Sequence, residues 1–168
     1  MATLIIFFLI MLDQLSKGLA ERLIGQGNQV PVVPGFFDLS CLANKGAAWS
    51  LFSDHAWGLI LLILISTLVS FSLLWFLGKV SDKRAKTVLI LLIAGSAGNL
   101  IDRLRFGAVT DFLSFTFGSY AFPTFNLADA MITVGAGLLI LFAILDRHFL
   151  SAQFGVGPAD TGADKEED

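Results

Sequence analysis

Long apolar runs separated by short polar stretches divide the chain into four segments of the length that a helix needs to cross a membrane. The hydrocarbon core of a bilayer is about 30 Å thick, which takes about 20 apolar residues in a helix. The expected spans are residues 3–24, 56–78, 86–105 and 128–147. The second span carries no charge, and the third and fourth reach full length by taking in flanking residues that include ionisable groups. The pattern therefore predicts a membrane protein, an all-α transmembrane bundle of four helices.

The first apolar segment also has the position of a cleavable signal peptide. Such a peptide begins with basic residues and ends in a small-x-small cleavage site. Neither feature is clear here, and the apolar run leads directly into the polar stretch Asp13-Gln14-Leu15-Ser16-Lys17. We therefore interpret this segment as the first membrane helix.

Lysine and arginine residues are concentrated on one side of the expected bundle. The connection between the second and third spans contains four of them, Lys79, Lys83, Arg84 and Lys86. The longer connection between the first two spans contains only Lys45. Basic connections stay in the cytoplasm, so the connection between the second and third spans is expected there. With four spans, both termini are then expected on the same, cytoplasmic side. The connections 25–55 and 106–127 then lie on the outer face.

The two outer connections contain more structure than simple linkers. Residues 29–37 (QVPVVPGFF) combine two prolines with β-branched residues, which favours extended backbone. Residues 108–120 mix apolar side chains with Asp111 and Ser114, and this pattern fits either a strand or an amphipathic interfacial helix. We therefore expect a small extended or β element and an amphipathic segment on the outer, periplasmic face.

The composition agrees with a membrane protein. Of the 168 residues (18.1 kDa), 55% are hydrophobic and 15% are charged, and the mean hydropathy is +0.78. Soluble domains are about a quarter charged, so a soluble globular or disordered chain is excluded. The single cysteine, Cys41, excludes an internal disulfide and a cysteine-based zinc site.

The net charge of −3 comes from the carboxyl-terminal segment. Residues 155–168 carry five acidic residues and one lysine, which leaves the rest of the chain with a net charge of +1. A nucleic-acid-binding protein is therefore excluded. We expect one four-helix domain over residues 1–150 and an acidic, disordered cytoplasmic tail over residues 151–168.

Ionisable side chains inside the expected spans mark candidate functional positions, because they are costly to place in lipid. Asp13 and Lys17 are four residues apart in the first span, so they share a helix face and can pair. A purely structural ion pair that helps the helix to insert is an equally good explanation.

The third span ends in a polar face next to a stretch of small residues. The small residues, Ala94 to Gly98, allow another helix to approach closely, and packing alone explains them. Asn99, Asp102 and Arg103 follow at spacings that place them on one helix face. An aspartate–arginine anchor at the membrane boundary is the plain explanation for Asp102 and Arg103.

Two further aspartates, Asp111 and Asp129, lie at the outer boundary without a basic partner in their own segments. Asn126 is a good N-cap for the fourth helix, which puts Asp129 at the third helical position, where a carboxylate stabilises the helix dipole. That capping role is an alternative for Asp129. It does not account for Asp111, whose neighbours are apolar.

Two carboxylates brought together in a partly apolar site hold one shared proton, because both cannot ionise easily. One can take a proton from water while the other polarises a peptide carbonyl, as in aspartic proteases. The helix amino terminus favours the ionised form of Asp129, which makes it the expected base.

Competing catalytic chemistries lack the residues that they need. The two histidines, His55 and His148, fall on opposite sides of the membrane in the expected topology. This arrangement excludes a metalloprotease helix motif and a serine–histidine dyad. Ser16 and Lys17 are adjacent on a helix, so their side chains point in different directions.

Five blocks of residues occur in a fixed order along the chain. They are Asp13-Gln14 with Lys17, Asn44-x-Gly46-Ala47-Ala48, Gly98-Asn99-x-x-Asp102-Arg103, Val109-x-Asp111-Phe112 and Phe125-Asn126-x-Ala128-Asp129. In this order, over residues 10 to 147, they resemble the lipoprotein signal peptidase family, also called signal peptidase II. One departure is Thr110, which stands where the family usually has valine.

The resemblance implies an aspartic endopeptidase of the bacterial cytoplasmic membrane that removes the signal peptide of lipid-modified prolipoproteins. Family members cleave on the amino side of the diacylglyceryl-cysteine, and Asp111 and Asp129 match their catalytic pair. The positions that match substrate-binding or supporting residues are Asp13, Lys17, Asn44, Gly46, Asn99, Arg103, Asn126 and Ala128. No metal or organic cofactor is implied. The expected partners are the lipid-modified prolipoprotein and membrane lipid, with no nucleic acid, and the enzyme is expected to be a monomer.

The alternative function is a small membrane transporter or assembly factor that relays protons through its aspartates. A relay needs acidic groups at several depths along a path. In the expected topology Asp102, Asp111 and Asp129 gather at one boundary, and Asp13 with Lys17 lies deeper. This clustering favours the peptidase.

Overall fold

The computed structural model describes residues 1–46 and 56–155. Ala47, Ala48, His55 and the acidic segment after residue 155, for which the sequence carries expectations, lie outside the described residues. The elements in chain order are α1 (Ala2–Leu23), β1 (Gln29–Val33), β2 (Phe37–Asn44), α2 (Ala56–Leu77), α3 (Lys83–Phe106), β3 (Val109–Phe117), β4 (Tyr120–Ala121), α4 (Leu127–Leu145) and α5 (Phe149–Phe154).

The helices α1 to α4 are long and apolar enough to cross a membrane, which confirms the predicted four-helix architecture. Each matches its expected span to within three residues at either end. Large apolar side chains such as Phe7, Leu64 and Ile144 are exposed on their outer faces. These faces form the surface that lipid covers in a membrane.

The central helix is α3, which packs against α1, α2 and α4. The predicted close approach at its small residues is present. A side chain at Gly95 would collide with the carbonyl oxygen of Ala128, and one at Gly98 would collide with the carboxylate of Asp13. The small residues therefore bring both α1 and α4 against the same level of α3.

The segments between the helices form an antiparallel sheet in the order β1-β2-β3-β4. The segment 108–120, for which the sequence allowed strand or helix, is mainly strand β3. Its backbone pairs with β2, and the ring of Phe115 stacks on those of Phe37 and Phe125. The expected amphipathic segment is thus a part of the sheet rather than an interfacial helix.

A short helix, α5, follows α4 at the end of the described chain. The expected domain boundary at residue 150 falls inside this helix. Apolar packing holds the helix in place, since Phe149 is buried against Phe142 and Phe154. Close by, the exposed Arg84 pairs with Asp82 at 2.9 Å and with Asp146 at 3.2 Å.

Candidate active site

Asp111 lies in the buried first half of β3, where two asparagine amides hold its carboxylate. The register places Asn44 of β2 opposite Val109, so Asn44 and Asp111 are diagonal neighbours on one face of the sheet. Nδ2 of Asn44 donates to Oδ2 of Asp111 at 2.9 Å, and Nδ2 of Asn126 donates to Oδ1 at 2.7 Å. Burial raises the pKa of Asp111 to about 6, although both hydrogen bonds act to lower it.

Asp129 lies in the first turn of α4, where it forms the predicted cap together with Asn126. Oδ1 of Asn126 accepts a hydrogen bond from the backbone N–H of Asp129 at 2.9 Å. Oδ2 of Asp129 accepts one from the backbone N–H of Asn126 at 3.2 Å, which completes a capping box. The other oxygen, Oδ1, accepts from Nδ2 of Asn99 at 2.7 Å. The carboxylate therefore caps the helix and contacts α3 at the same time.

The two aspartates are joined through Asn126, which is fully buried. Its side chain caps Asp129 with the oxygen and binds Asp111 with the nitrogen. The preceding residue, Phe125, exchanges two backbone hydrogen bonds with Leu113 of β3, at 2.8 and 3.0 Å. This short bridge fixes the start of α4 against β3 and explains how one asparagine reaches both carboxylates.

A cavity of about 560 Å³ opens beside the two carboxylates. Six of the ten site residues expected from the sequence line it: Asn44, Gly46, Asn99, Arg103, Asp111 and Asp129. Much of the rest of the wall is apolar, with Val109, Phe122, Phe125, Ile132 and Val134 among its residues. A paired acid site with an apolar wall can hold both a peptide bond and apolar substrate groups.

The other four expected site residues, Asp13, Lys17, Asn126 and Ala128, lie behind the cavity wall. The predicted pairing of Asp13 with Lys17 is present at 2.9 Å, and both side chains are buried. Oδ1 of Asp13 accepts from the backbone N–H of Ala128 at 2.9 Å. Nζ of Lys17 donates to Oδ1 of Asn99 at 3.1 Å. These residues therefore support the groups that line the cavity.

Asp102 and Arg103, for which an anchor at the membrane boundary is the plain explanation from the sequence, bind different partners. Adjacent residues on a helix point in different directions, so Asp102 turns inward and binds Nζ of Lys17 at 3.0 Å. Arg103 turns to the cavity, where Nη2 donates to the carbonyl oxygen of Gly46 at 3.2 Å. Its buried Nε has no hydrogen-bond partner among the described residues. Arg103 thus offers a donor at the cavity wall.

Three residues outside the expected site also contribute to it. Nε2 of Gln14 donates to Oδ1 of Asp102 at 2.8 Å. The backbone N–H of Thr110 donates to Oδ2 of Asp102 at 3.3 Å, and its hydroxyl donates to Glu21 at 2.7 Å. Gln14 and Asp102 belong to the sequence blocks described above, but their partners lie on a different helix. Nothing in the two sequence segments indicates the pairing of Gln14 with Asp102.

The described residues contain no group of three or more histidine, cysteine or acidic side chains placed to hold a metal ion. The chemistry that they offer is that of two neighbouring carboxylates with amide donors. One carboxyl group, that of Asp111, has its pKa raised into the range in which it carries a proton in mildly acidic conditions. The other lies at a helix amino terminus, which favours a negative charge.

A family model described as signal peptidase (SPase) II matches residues 5–145 of the chain. A lipoprotein signal peptidase of Syntrophotalea carbinolica is 38% identical over 140 residues, covering 82% of this chain and 87% of the relative. One of Clostridium tetani is 38% identical over 150 residues, covering 89% and 96%. One of Coxiella burnetii is 41% identical over 139 residues, covering 81% and 85%.

Two solved structures, both described as bacterial membrane enzymes, have a similar fold. The first has a TM-score of 0.79 and 27% sequence identity, covering 99% of this chain and 93% of the other. The second has a TM-score of 0.76 and 31% identity, covering 86% and 93%.

Proposed function

This chain belongs to the signal peptidase II family, and on that premise we propose that it removes the signal peptide from lipid-modified prolipoproteins in the bacterial membrane. It acts as an aspartic endopeptidase that cleaves on the amino side of the diacylglyceryl-cysteine. Asp111 and Asp129 are its catalytic pair. The observation that carries the proposal is that both carboxylates line one cavity and accept hydrogen bonds from one buried residue, Asn126, whose side-chain amide donates to Asp111 and whose backbone N–H donates to Asp129.

In the proposed mechanism Asp129 is the base and Asp111 carries the proton. Asp129 lies at the amino terminus of α4, where the helix dipole attracts negative charge, and its carboxylate accepts two hydrogen bonds. Asp111 is buried, which raises its pKa to about 6 and favours its protonated form. The two environments thus divide the roles between two chemically identical groups.

Each step balances with these two groups and one water molecule. Asp129 takes a proton from the water molecule while the water oxygen bonds to the scissile carbonyl carbon. At the same time Asp111 gives its proton to the carbonyl oxygen. The tetrahedral intermediate then collapses as Asp111 takes a proton back from one of its hydroxyl groups. Asp129 protonates the leaving amine, the C–N bond breaks, and the pair returns to its starting state. No metal or organic cofactor takes part in the proposed reaction.

Arg103 and Asn44 are proposed to hold the substrate backbone beside the pair. Both line the cavity, and Nε of Arg103 has no partner among the described residues. A guanidinium N–H at this position suits a substrate carbonyl oxygen. The apolar wall suits the uncharged side chains of a signal peptide near its cleavage site.

The proposed orientation puts the cavity at the outer membrane boundary, where a diacylglyceryl substrate presents its scissile bond. The site lies at the end of α3 opposite to the basic connection that contains Lys79 and Lys83. Because basic connections remain cytoplasmic, this connection and both termini lie inside and the site lies outside. Residues 1–150 are proposed as the peptidase domain. The enzyme works as a monomer in contact with membrane lipid.

The test is cleavage of a purified lipid-modified prolipoprotein by Asp111→Asn and Asp129→Asn variants. Each substitution keeps the shape of the side chain and removes its acid–base function, so activity should fall by more than about 100-fold. The matched control is Asp38→Asn on β2, where Gln29 binds the side chain away from the cavity, and it should retain activity. Residual turnover above about a hundredth of the wild-type value in both variants contradicts the proposed pair.

The substrate class is tested separately with an unlipidated precursor of the same sequence. The acyl chains hold the substrate at the depth of the cavity, so the unlipidated form should be cleaved much more slowly. Equal rates for the two forms would contradict the proposed substrate while leaving the catalytic pair intact.

A further inference from the structure

We propose that the buried cluster of Asp13, Lys17 and Asp102 positions both catalytic aspartates, and that its charge sets the protonation of the pair. The proposal rests on the catalytic pair proposed above and assigns Lys17 as a positioning residue. The cluster is held by two ion pairs, of 2.9 and 3.0 Å, and its side chains are at most 3% exposed. None of the three residues lines the cavity, so none is placed to touch substrate.

The two carboxylates of the cluster bind the backbone directly before each catalytic residue. Asp102 accepts from the N–H of Thr110, the residue before Asp111, at 3.3 Å. Asp13 accepts from the N–H of Ala128, the residue before Asp129, at 2.9 Å. Both carboxylates also bind the same ammonium group, so one cation fixes the relative position of the two catalytic segments.

The third contact of Lys17 reaches the catalytic side chains through Asn99. Nζ of Lys17 donates to Oδ1 of Asn99 at 3.1 Å, which fixes the orientation of the amide group. Nδ2 of Asn99 must then face outward, where it donates to Asp129 at 2.7 Å. The same Oδ1 accepts from Asn126, which holds Asp111. The ammonium group therefore supports both catalytic carboxylates through amide side chains.

The cluster also has a charge imbalance, because one ammonium is paired with two carboxylates. With both carboxylates ionised the cluster carries a net charge of −1, and in a buried region of low polarity that charge acts on nearby ionisable groups. Other charged groups on the elements packed around Asp111 include Glu21 and Arg22 on α1, Asp38 on β2 and Lys45 after it, Arg103 and Arg105 on α3, and Asp129 on α4. Lys17 itself lowers the pKa of Asp111. Removing the charge of Lys17 or of Asp102 should therefore move that pKa in opposite directions.

The experiment measures kcat/KM against pH for Lys17→Gln and Asp102→Asn with a lipid-modified prolipoprotein in detergent. Asp102→Asn keeps an oxygen that can accept from Thr110, and it should move the alkaline limb of the profile to lower pH. Lys17→Gln should move that limb to higher pH. Each shift should be about one pH unit, as expected for one charge acting through a partly polar medium.

Matched controls are Lys83→Gln, which removes an exposed charge, and Asp38→Asn, which removes a half-buried one; neither residue lines the cavity, so both variants should leave the profile in place. A Lys17→Gln protein leaves two carboxylates without their cation, so its folding is checked by thermal melting. If it does not fold, Asp13→Asn replaces it and should shift the limb to lower pH, as Asp102→Asn does.

For Lys17→Gln and Asp102→Asn, opposite shifts support charge tuning, whereas shifts in one common direction, or reduced kcat with an unmoved profile, overturn it. Where Asp13→Asn replaces Lys17→Gln, a shift of its limb to lower pH supports charge tuning, and an unmoved limb or a shift to higher pH overturns it. Asp111→Asn is assayed in parallel. If that variant remains active, the proposed catalytic pair fails, whatever the Lys17 and Asp102 variants show.

Discussion

Each end of the helix bundle carries one basic residue between two carboxylates, but the two clusters differ in burial. Near the cavity, Lys17 pairs with Asp13 and Asp102 at 2.9 and 3.0 Å. At the other end, Arg84 pairs with Asp82 and Asp146 at 2.9 and 3.2 Å. The side chains of the first cluster are 0–3% exposed, and those of the second are 22–43% exposed.

The difference shows that burial, rather than the number of charges, decides what an ion cluster does. Around Arg84 water can replace any lost partner, so the pairs add little to stability and can rearrange. Around Lys17 each charge has lost its water, and every lone pair or proton needs a protein partner. The buried cluster is therefore costly to assemble and fixed in geometry, which suits it to hold a catalytic site.

The largest expected effect comes from removing the central cation of each cluster. Lys17→Met leaves two unpaired buried carboxylates and should destabilise the protein by about 3–5 kcal/mol. Arg84→Met should change stability much less, because its carboxylate partners remain in water. Thermal and denaturant unfolding in detergent measures both variants. Equal losses would show that burial does not separate the two clusters.

A smaller effect is expected from adding a methyl group at glycines inside and outside the packed region. Gly98→Ala pushes against the carboxylate of Asp13 and should cost about 1–3 kcal/mol, with reduced cleavage. Gly137→Ala on α4 meets no atom within 4 Å and should be neutral or stabilising by up to about 1 kcal/mol. The same unfolding and cleavage assays apply. A neutral Gly98→Ala would argue against close packing at the cluster.

The two ends should also respond to different solution conditions. In the proposed mechanism activity needs the proton on Asp111, whose pKa is raised to about 6, so kcat/KM should fall as the pH rises above that value. Asp111 is protonated at a pH below its pKa, and it loses this proton as the pH rises above the pKa. Raising the salt concentration screens the exposed Arg84 pairs and should leave this profile unmoved. If the midpoint of the pH profile moves strongly with salt concentration, the cavity is not shielded from dissolved ions.

The smallest expected effect is that of Thr110→Val, which restores the residue usual in the family. The change removes the hydroxyl bond to Glu21 but keeps the backbone N–H that binds Asp102. Stability should change by about 1 kcal/mol or less, and cleavage should be unchanged. A large loss of cleavage would instead indicate that the link from Thr110 to Glu21 holds Asp111 in place.

The four membrane helices were predictable from the sequence because hydropathy along a chain is a local property. The bounds of α1 to α4 agree closely with the expected spans. The strand β3 was not decided, since its pattern also fits a helix and only pairing with β2 distinguishes them. The helix α5 was missed for a related reason, because the partners that bury Phe149 are brought to it by tertiary packing.

The candidate site was predictable as a set of residues but not as a network. The cap formed by Asn126 and Asp129 follows from local spacing and is present as expected. The pairing of Lys17 with Asp102 joins residues on two helices, and nothing in either segment indicates it. Asp102 and Arg103 are neighbours in sequence, but their partners, Lys17 on α1 and the carbonyl of Gly46, become their neighbours only in the folded chain.

The capping box at the start of α4 has a consequence for the biogenesis of this enzyme. One asparagine both starts the helix and holds Asp111, so the site exists only when α4 is wound at its first turn and seated on β3. We therefore expect a chain that is still assembling in the membrane, in which β3 and α4 have not yet docked, to lack the proposed pair and to be inactive until assembly is complete.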